Sequence, residues 1–246
     1  QWDGEMLKSA LYFLSAVVPS PESAGKILTF LDYKYPDVRK AALDACILLK
    51  TRDISEKFTQ MFHDEDPQQR AVAVKGLLST DPAGNIDYLR QALSDQSPDV
   101  RRVALESLSA LKDIPESITP DIMACLHDES AEVRLALIEF LGKVGGSKPI
   151  PYLQSALSDP DDWVKIRSVE ALGRLKGEDA LPQLVELLDD SNPLVAIKVI
   201  EALGDIGGDA AFQALLRVME NGDPDLQQAA EDAASKIHAT FGGENV

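Results

Sequence analysis

The clearest feature of the chain is a pattern of polar and apolar positions that recurs about every 31 residues. One mostly cationic position sets the register, and the other positions are counted from it below. This register position is held by Arg39, Arg70, Arg101, Arg134, Lys165, Ala196 and Gln227, at intervals of 31 residues with one interval of 33. A period of this length predicts a protein built from stacked supersecondary units, each of which contacts mainly its neighbours.

Each unit contains two segments with helical periodicity, which we name helix A and helix B. Helix A has apolar residues at positions −12, −9 and −8, as in Leu89, Ala92 and Leu93, and this spacing places them on one helical face. Helix B is predicted to begin at position −3, where proline is frequent and its missing N–H costs no hydrogen bond. Several B helices hold an internal glycine at position +8, which indicates close packing against a neighbouring helix. These glycines are Gly142, Gly173 and Gly204.

Short amphipathic helix pairs cannot bury their own apolar faces, so successive pairs must stack. The sequence therefore predicts an all-α fold, a right-handed α-solenoid (an α-α superhelix) of about seven and a half helix pairs. Residues 1–18 are predicted to form a partial first repeat with helix B only, 19–240 seven helix pairs, and 241–246 a solvated tail. We expect one domain over 1–246, which belongs to a longer polypeptide.

Composition excludes several classes of protein. The chain has 24 Lys and Arg against 41 Asp and Glu, a net charge of −17, which argues against phosphate neutralisation in a nucleic acid. No apolar run reaches the length of about 18 residues that a membrane-spanning helix needs. Cys46 and Cys125 occupy apolar positions of different repeats, which predicts buried structural thiols rather than a disulfide framework or a zinc site. A reducing cytoplasm is the expected location.

The segment 98–108 (PDVRRVALESL) and the segment 195–204 carry a known pattern, with an aspartate in the preceding turn. They resemble HEAT repeats, especially the short bacterial type found in phycobilisome bilin lyases. The resemblance implies a hydrogen-bonded ladder between repeats, made by the turn aspartate at position −6 and the cation at the register position. Its implied members are Asp64 with Arg70, Asp95 with Arg101, Asp128 with Arg134, and Asp159 with Lys165. The match fails at Asp190 with Ala196 and at Asn221 with Gln227, so looser packing is expected there.

Two His-Asp dipeptides, His63-Asp64 and His127-Asp128, raise the question of a metal site, because HEAT-like iron hydroxylases use paired His-Glu motifs. Here each aspartate is the turn residue of the implied ladder. The two dipeptides lie two repeats apart, about 20 Å if helix pairs stack at about 10 Å. There is also no Gly-x-Ser-x-Gly element and no phosphate-binding loop. The sequence therefore predicts no catalytic residue, no metal and no cofactor.

Position +5 of helix B is mostly acidic. Its acidic members are Asp44, Glu106, Glu139, Glu170, Glu201 and Asp232. The resemblance to HEAT repeats places this position on the concave groove, where a row of acids could bind a basic segment by long-range attraction. The alternative is a row of solvated charges, interrupted by nearby cations.

Positions −2 and +1 change character in the middle of the chain. Position −2 is usually acidic, as suits the first turn of a helix, because the helix dipole stabilises negative charge there. Large apolar residues replace polar ones at these two positions on successive B helices, namely Leu135, Trp163, Ile166, Leu194 and Ile197. Either a loop or the stagger of the repeats covers these side chains, or they form a patch that binds a partner.

The sequence thus predicts a non-enzymatic protein–protein interaction or scaffold module with a curved acidic surface and a local apolar patch. Its partner is expected to be another protein or another domain of the same polypeptide. No nucleic acid and no membrane is expected as a partner, and no small-molecule ligand. The alternative is a subunit of a bilin lyase-like enzyme or another HEAT-like regulatory subunit, which rests on the resemblance alone.

Overall fold

The predicted all-α class is confirmed by the computed structural model. It describes residues 4–108, 111, 114–221 and 223–242, with 221 and 240–242 described by their backbone alone. Every regular element of this part of the chain is a helix. The helices fall into two compact units, residues 1–122 and 123–246. Most of the predicted tail at 241–246 lies outside the described residues.

The first unit begins with a B helix and continues with A and B helices in alternation. Its helices are α1 (Gly4–Ala16), α2 (Pro21–Leu28), α3 (Pro36–Leu49), α4 (Arg52–Met61), α5 (Pro67–Thr80), α6 (Ile86–Leu93) and α7 (Pro98–Leu108). The short α8 (Thr119–Ala124) follows. The odd-numbered helices are B helices, and α1, α3, α5 and α7 pack in sequence, each against the next.

The second unit continues the alternation. Its helices are α9 (Ala131–Val144), α10 (Ile150–Ser155), α11 (Asp162–Arg174), α12 (Leu181–Glu186), α13 (Pro193–Ile206), α14 (Gly208–Asn221) and α15 (Pro224–Gly242). Its B helices α9, α11, α13 and α15 also pack in sequence. The predicted solenoid class, with helix pairs that contact their neighbours, is therefore confirmed within each unit.

Helix B begins at position −3 in each of the seven full repeats, as predicted. Side-chain caps hold several of these starts, for example Asp66 before α5 and Asn192 before α13. Three A helices tighten into a final 3-10 turn that ends at position −7, immediately before the turn aspartate. This ending fixes the turn aspartate between helix A and helix B, where a neighbouring repeat can reach it.

The prediction of close packing at the glycines of position +8 is confirmed. A Cβ added at Gly173 or Gly204 would lie 3.0 Å from the Cβ of Ala202 or Ala233, respectively, on the next B helix. A Cβ at Gly142 would lie 3.1 Å from the Cβ of Ala171. Glycine is therefore the residue that lets consecutive B helices of the second unit approach closely, which offsets its low helix propensity.

The apolar core follows the predicted periodicity. Position −12 of helix A is almost completely buried in all seven repeats, at Ile27, Phe58, Leu89, Ile122, Leu153, Leu184 and Leu215. The apolar stripe of helix B is buried as well, for example at Leu77, Leu172 and Leu203. Within the described part of the chain, no helix is both long enough and apolar enough to cross a membrane.

Candidate functional site

The aspartate ladder exists, but its side-chain pairs differ from those that the resemblance implied. In the first unit, Arg70 donates from Nε and Nη2 to both carboxylate oxygens of Asp95, at 2.8 and 2.7 Å. Asp95 belongs to the following repeat. The ladder therefore joins the cation of one repeat to the turn aspartate of the next, with the planar two-bond geometry that favours arginine.

Within its own repeat, the register arginine contacts the turn through backbone carbonyls. Arg70 donates from Nη1 to the carbonyl oxygens of Asp64 and Glu65, at 3.0 and 2.9 Å. Arg101 makes the corresponding bond to the carbonyl oxygen of Asp95 at 2.8 Å. The implied pairing of the Asp64 carboxylate with Arg70 is therefore wrong, because Arg70 reaches the backbone of its own turn and gives Nε and Nη2 to Asp95. The Asp95 carboxylate is held by Arg70, while Arg101 bonds the carbonyl oxygen of Asp95.

The second unit repeats this arrangement and extends it by one step. Arg134 donates to both carboxylate oxygens of Asp159, at 2.7 and 2.9 Å. Within its own repeat it donates to the carbonyl oxygen of Asp128 at 2.8 Å, so the implied pairing of the Asp128 carboxylate with Arg134 is wrong as well. Lys165 donates to Asp190 at 2.6 Å, so its partner is not Asp159, and Asp190 is held although Ala196 follows it. The ladder reaches one repeat further than expected, because Asp190 is held by the cation of the preceding repeat, Lys165, and not by the register residue of its own repeat. Ala196 has no group to donate.

The pKa values of the ladder carboxylates follow from these contacts. Burial raises the pKa of Asp95, but hydrogen bonds from Arg70 and from the backbone N–H of Ser97 outweigh it, so the net shift is downward. For Asp190, the Lys165 ammonium and then the Asn192 backbone N–H lower the pKa. Both carboxylates are therefore ionised at neutral pH, and their attraction to the cations is lost as acid protonates them.

Arg70→Ala should lower the free energy of unfolding by about 1–3 kcal/mol, because it leaves the partly buried Asp95 carboxylate without its two charged hydrogen bonds. Urea unfolding followed by circular dichroism measures the change. Gln227→Ala is the matched control, since it alters the register position of the last repeat, where no ladder pair is implied. Equal losses for the two variants would contradict a stabilising role of the ladder.

The predicted apolar patch is only partly exposed. Trp163 is 55% and Leu194 38% exposed, in the first turns of α11 and α13. Ile166 is 2% exposed, so its assignment to a surface patch is wrong; it packs in the core because α11 turns position +1 inward. Leu135 and Ile197 are half-buried. The exposed part of the patch is therefore Trp163 with Leu194, which we name the apolar pair.

The start of α11 holds Trp163 in a fixed position. Asp161 accepts hydrogen bonds from the backbone N–H groups of Trp163 and Val164, at 2.9 and 3.2 Å. The neighbouring Asp162 contacts Lys165 at 2.9 Å and accepts a hydrogen bond from Asn192 at 2.7 Å, which ties the starts of α11 and α13 together. The two helix ends that carry the apolar pair are thus joined by side-chain contacts.

The acidic residues at position +5 are not a uniform acidic row. Asp44, Glu106, Glu139, Glu201 and Asp232 are exposed, and Glu170 is half-buried. In the second unit, two cations at position +2 lie between these acids. Arg167 contacts Glu170 at 2.7 Å and Glu139 at 3.9 Å, and Lys198 contacts Glu201 at 2.7 Å and Glu170 at 3.9 Å. The attraction of these acids for a basic ligand is therefore reduced by their own neighbours.

The cysteines occupy the core, as predicted. Both Cys46 and Cys125 are buried. Burial raises the pKa of the Cys46 thiol to about 12, so it stays protonated and unreactive at neutral pH.

His63 stacks edge-on against Phe62, which gives it a packing role in the A–B turn. Among the described residues, no group of three or more potential metal ligands is present.

One exposed apolar surface was missed by the sequence analysis. The side chains of Met6 and Phe13 on α1, and of Val17 directly after it, are more than half exposed, and so is Leu48 on the adjacent α3. Their positions are −2, +5 and +9, which are exposed positions of other B helices. Extending the register to Lys8, one period before Arg39, and checking these positions would have found the surface.

Comparison with known proteins is consistent with this architecture. The pattern of HEAT repeats matches residues 55–120, 86–167 and 150–235. None of the curated proteins compared with the chain matches it. The solved structure of YibA from E. coli is similar at 16% identity with a TM-score of 0.61, over 94% of this chain and 95% of its own.

Two further structures are similar over most of their length. One is the CpcE–CpcF complex of phycocyanin lyase from Nostoc sp., with 19% identity, a TM-score of 0.45, and coverage of 89% of this chain and 94% of that one. The other is human deoxyhypusine hydroxylase in complex with glycerol, with 20% identity, a TM-score of 0.45, and coverage of 97% and 92%. At such identities, similarity carries no information about activity.

The three matches together span 55–235, well over half of the chain. In that span the structure has paired helices, B helices that begin at position −3, and turn aspartates held by the cation of the preceding repeat. The chain belongs to the HEAT-repeat family.

Proposed function

We propose that this protein is a non-enzymatic interaction or scaffold module that binds another protein through the apolar pair. The observation that carries the proposal is the exposure of Trp163 beside Leu194, at a position where the flanking B helices have Glu132 and Asp225. Tryptophan is one of the residue types enriched among the anchors of protein interfaces. HEAT repeats in general serve protein–protein interaction, which supports the same function.

The size of the exposed surface sets the expected contribution to binding. A tryptophan side chain buries about 150–250 Å² in a core or interface, so the exposed half offers about 100 Å². At about 25 cal/mol per Å², covering it would contribute about 2.5 kcal/mol. The Asp161 cap and the bond between Asn192 and Asp162 hold the surface in place before binding, which reduces the entropy lost on association.

Trp163→Ala should weaken binding of a natural protein partner about thirtyfold, which corresponds to about 2 kcal/mol. The measurement is quantitative capture from a native lysate, followed by titration of the captured protein against each variant. Tyr152→Ala is the matched control, because Tyr152 is an exposed aromatic residue on α10, the A helix that precedes α11. It should leave affinity unchanged.

The two variants also separate binding from folding. Trp163→Ala should change the free energy of unfolding by less than about 1 kcal/mol, since much of the side chain is already in water. A severe folding defect with unchanged partner affinity would show that Trp163 is a core residue. A partner that binds wild type, Trp163→Ala and Tyr152→Ala equally would contradict the apolar pair as the binding site.

A further inference from the structure

The apolar pair lies in a row that crosses four B helices of the second unit. Glu132 on α9, Trp163 on α11, Leu194 on α13 and Asp225 on α15 all occupy position −2, and all four are exposed. Because these helices pack in sequence, the row presents an acid, two apolar side chains and a second acid in that order. We name these four residues the anchor row.

The spacing of the row is set by helix packing. Neighbouring helices lie about 8–10 Å apart, and the contacts of Gly142, Gly173 and Gly204 with the next helix bring these B helices close. Equivalent positions of successive B helices therefore recur about every 9 Å along the row. A ligand that engages all four positions must present side chains on one face at that interval.

A polyproline II segment has this geometry. It has three residues per turn and rises 3.1 Å per residue, so every third side chain points the same way about 9 Å further along. In a β-strand, residues three apart point to opposite faces. An α-helix presents residues on one face about 10.5 Å apart, every seven residues, but with a diameter of about 10 Å it would cover more of the surface than the row itself. It would also cover Arg167 and Lys198, which lie about 6 Å from the row, four residues along each helix.

The charges beside the apolar pair select the ends of the ligand. The second unit has 22 acidic and 10 basic residues, a net charge of −12. The nearest cations, Arg167 and Lys198, are already paired with Glu170 and Glu201 at 2.7 Å. Glu132 and Asp225 stand exposed at the two ends of the row, where a ligand lysine or arginine would meet them.

We propose that the anchor row binds an extended segment of another protein with two apolar residues three positions apart, flanked three positions further on each side by a basic residue. The segment spans ten residues in the polyproline II conformation, with its apolar residues against Trp163 and Leu194 and its basic residues at Glu132 and Asp225. This inference rests on the proposed function, and it specifies the chemistry of the partner.

The test uses the full chain carrying Trp2→Phe, so that tryptophan fluorescence reports Trp163 alone. The probe is the peptide Lys-Pro-Pro-Leu-Pro-Pro-Leu-Pro-Pro-Lys at low ionic strength. Binding should shift the emission to shorter wavelength and saturate. A peptide with glutamate at both ends should bind about tenfold more weakly, because two attractive contacts become repulsive. A lysine-ended peptide with its leucines moved to positions three and eight should give no emission shift, because the two leucines no longer match the spacing of the row.

A charge exchange completes the design. In a Glu132→Lys, Asp225→Lys variant, the preference between the lysine-ended and glutamate-ended peptides should reverse. Equal affinity for the two peptides, or no emission shift with the lysine-ended peptide, would overturn the proposed ligand. If the peptides fail while Trp163→Ala still loses its natural partner, the ligand chemistry is wrong and the interaction module stands. Tighter binding of an amphipathic helical peptide would likewise overturn the extended conformation.

Discussion

Leu172→Ala should lower the free energy of unfolding by about 2–5 kcal/mol, the largest loss expected for a single truncation in the second unit. Leu172 lies in α11 and is fully buried. Its side chain packs beside Gly177 and Ile150: a Cβ added at Gly177 would lie 3.1 Å from Leu172 Cδ2 and 3.7 Å from Ile150 Cγ2. Truncation removes apolar contacts and leaves a cavity that the surrounding helices can fill only in part.

Leu194→Ala is the matched control for this prediction. The substitution is the same and lies on the next B helix, but Leu194 is 38% exposed and sits in a first helical turn. Its loss should be below about 1 kcal/mol by urea unfolding. If the two variants lost equal stability, the distinction between a core at position +7 and a surface at position −2 would fail.

The periodicity of the sequence predicted the fold because every helix pair buries apolar side chains at the same positions. Position −12 is buried in every repeat, and helix B starts at the same position throughout. Equivalent positions of the repeats therefore have equivalent places in the structure. Local signals agree with the periodic pattern. Proline is the first residue of α3, α5 and α13, and side-chain caps precede several helices. The pattern is therefore redundant, and a departure in one repeat does not alter the fold.

The ladder pairs could not be assigned from the positions within the repeat. Asp95 lies six residues before Arg101 and 25 residues after Arg70, and the sequence alone favours neither partner. The structure resolves the choice, because Arg101 reaches the carbonyl oxygen of Asp95 while Arg70 crosses to its carboxylate. Which residues of two repeats meet depends on how the repeats stack, and the pattern within one repeat does not contain that information.

The exposed surface was predictable only in part. Position +1 is exposed at Lys40 but buried at Ile166, so its environment differs from one repeat to another. Position −2 points outward in every full repeat, and for that reason Trp163 and Leu194 were identified correctly as unusual.

A close approach between α4 and α5 predicts a second large effect. Gly76 lies in α5, and a Cβ added there would lie 2.5 Å from ring carbons of Phe58 in α4. Phe58 is fully buried, so its ring has little freedom to move. Gly76→Val should therefore lower the free energy of unfolding by about 3 kcal/mol through overpacking, despite a small gain in helix propensity.

Gly25→Val provides the control, because it places the same side chain in α2 at an exposed glycine with no atom within 4 Å of the added Cβ. It should change stability by at most about 0.5 kcal/mol. Phe58→Leu introduced beside Gly76→Val should recover part of the loss, since the smaller side chain makes room for valine, and the two effects should not add. Urea unfolding of Gly76→Val, Phe58→Leu and their double variant measures this coupling, with Gly25→Val unfolded alongside. Strict additivity, or a Gly76→Val loss no larger than that of Gly25→Val, would show that contact with Phe58 does not determine why glycine occupies position +6 of α5.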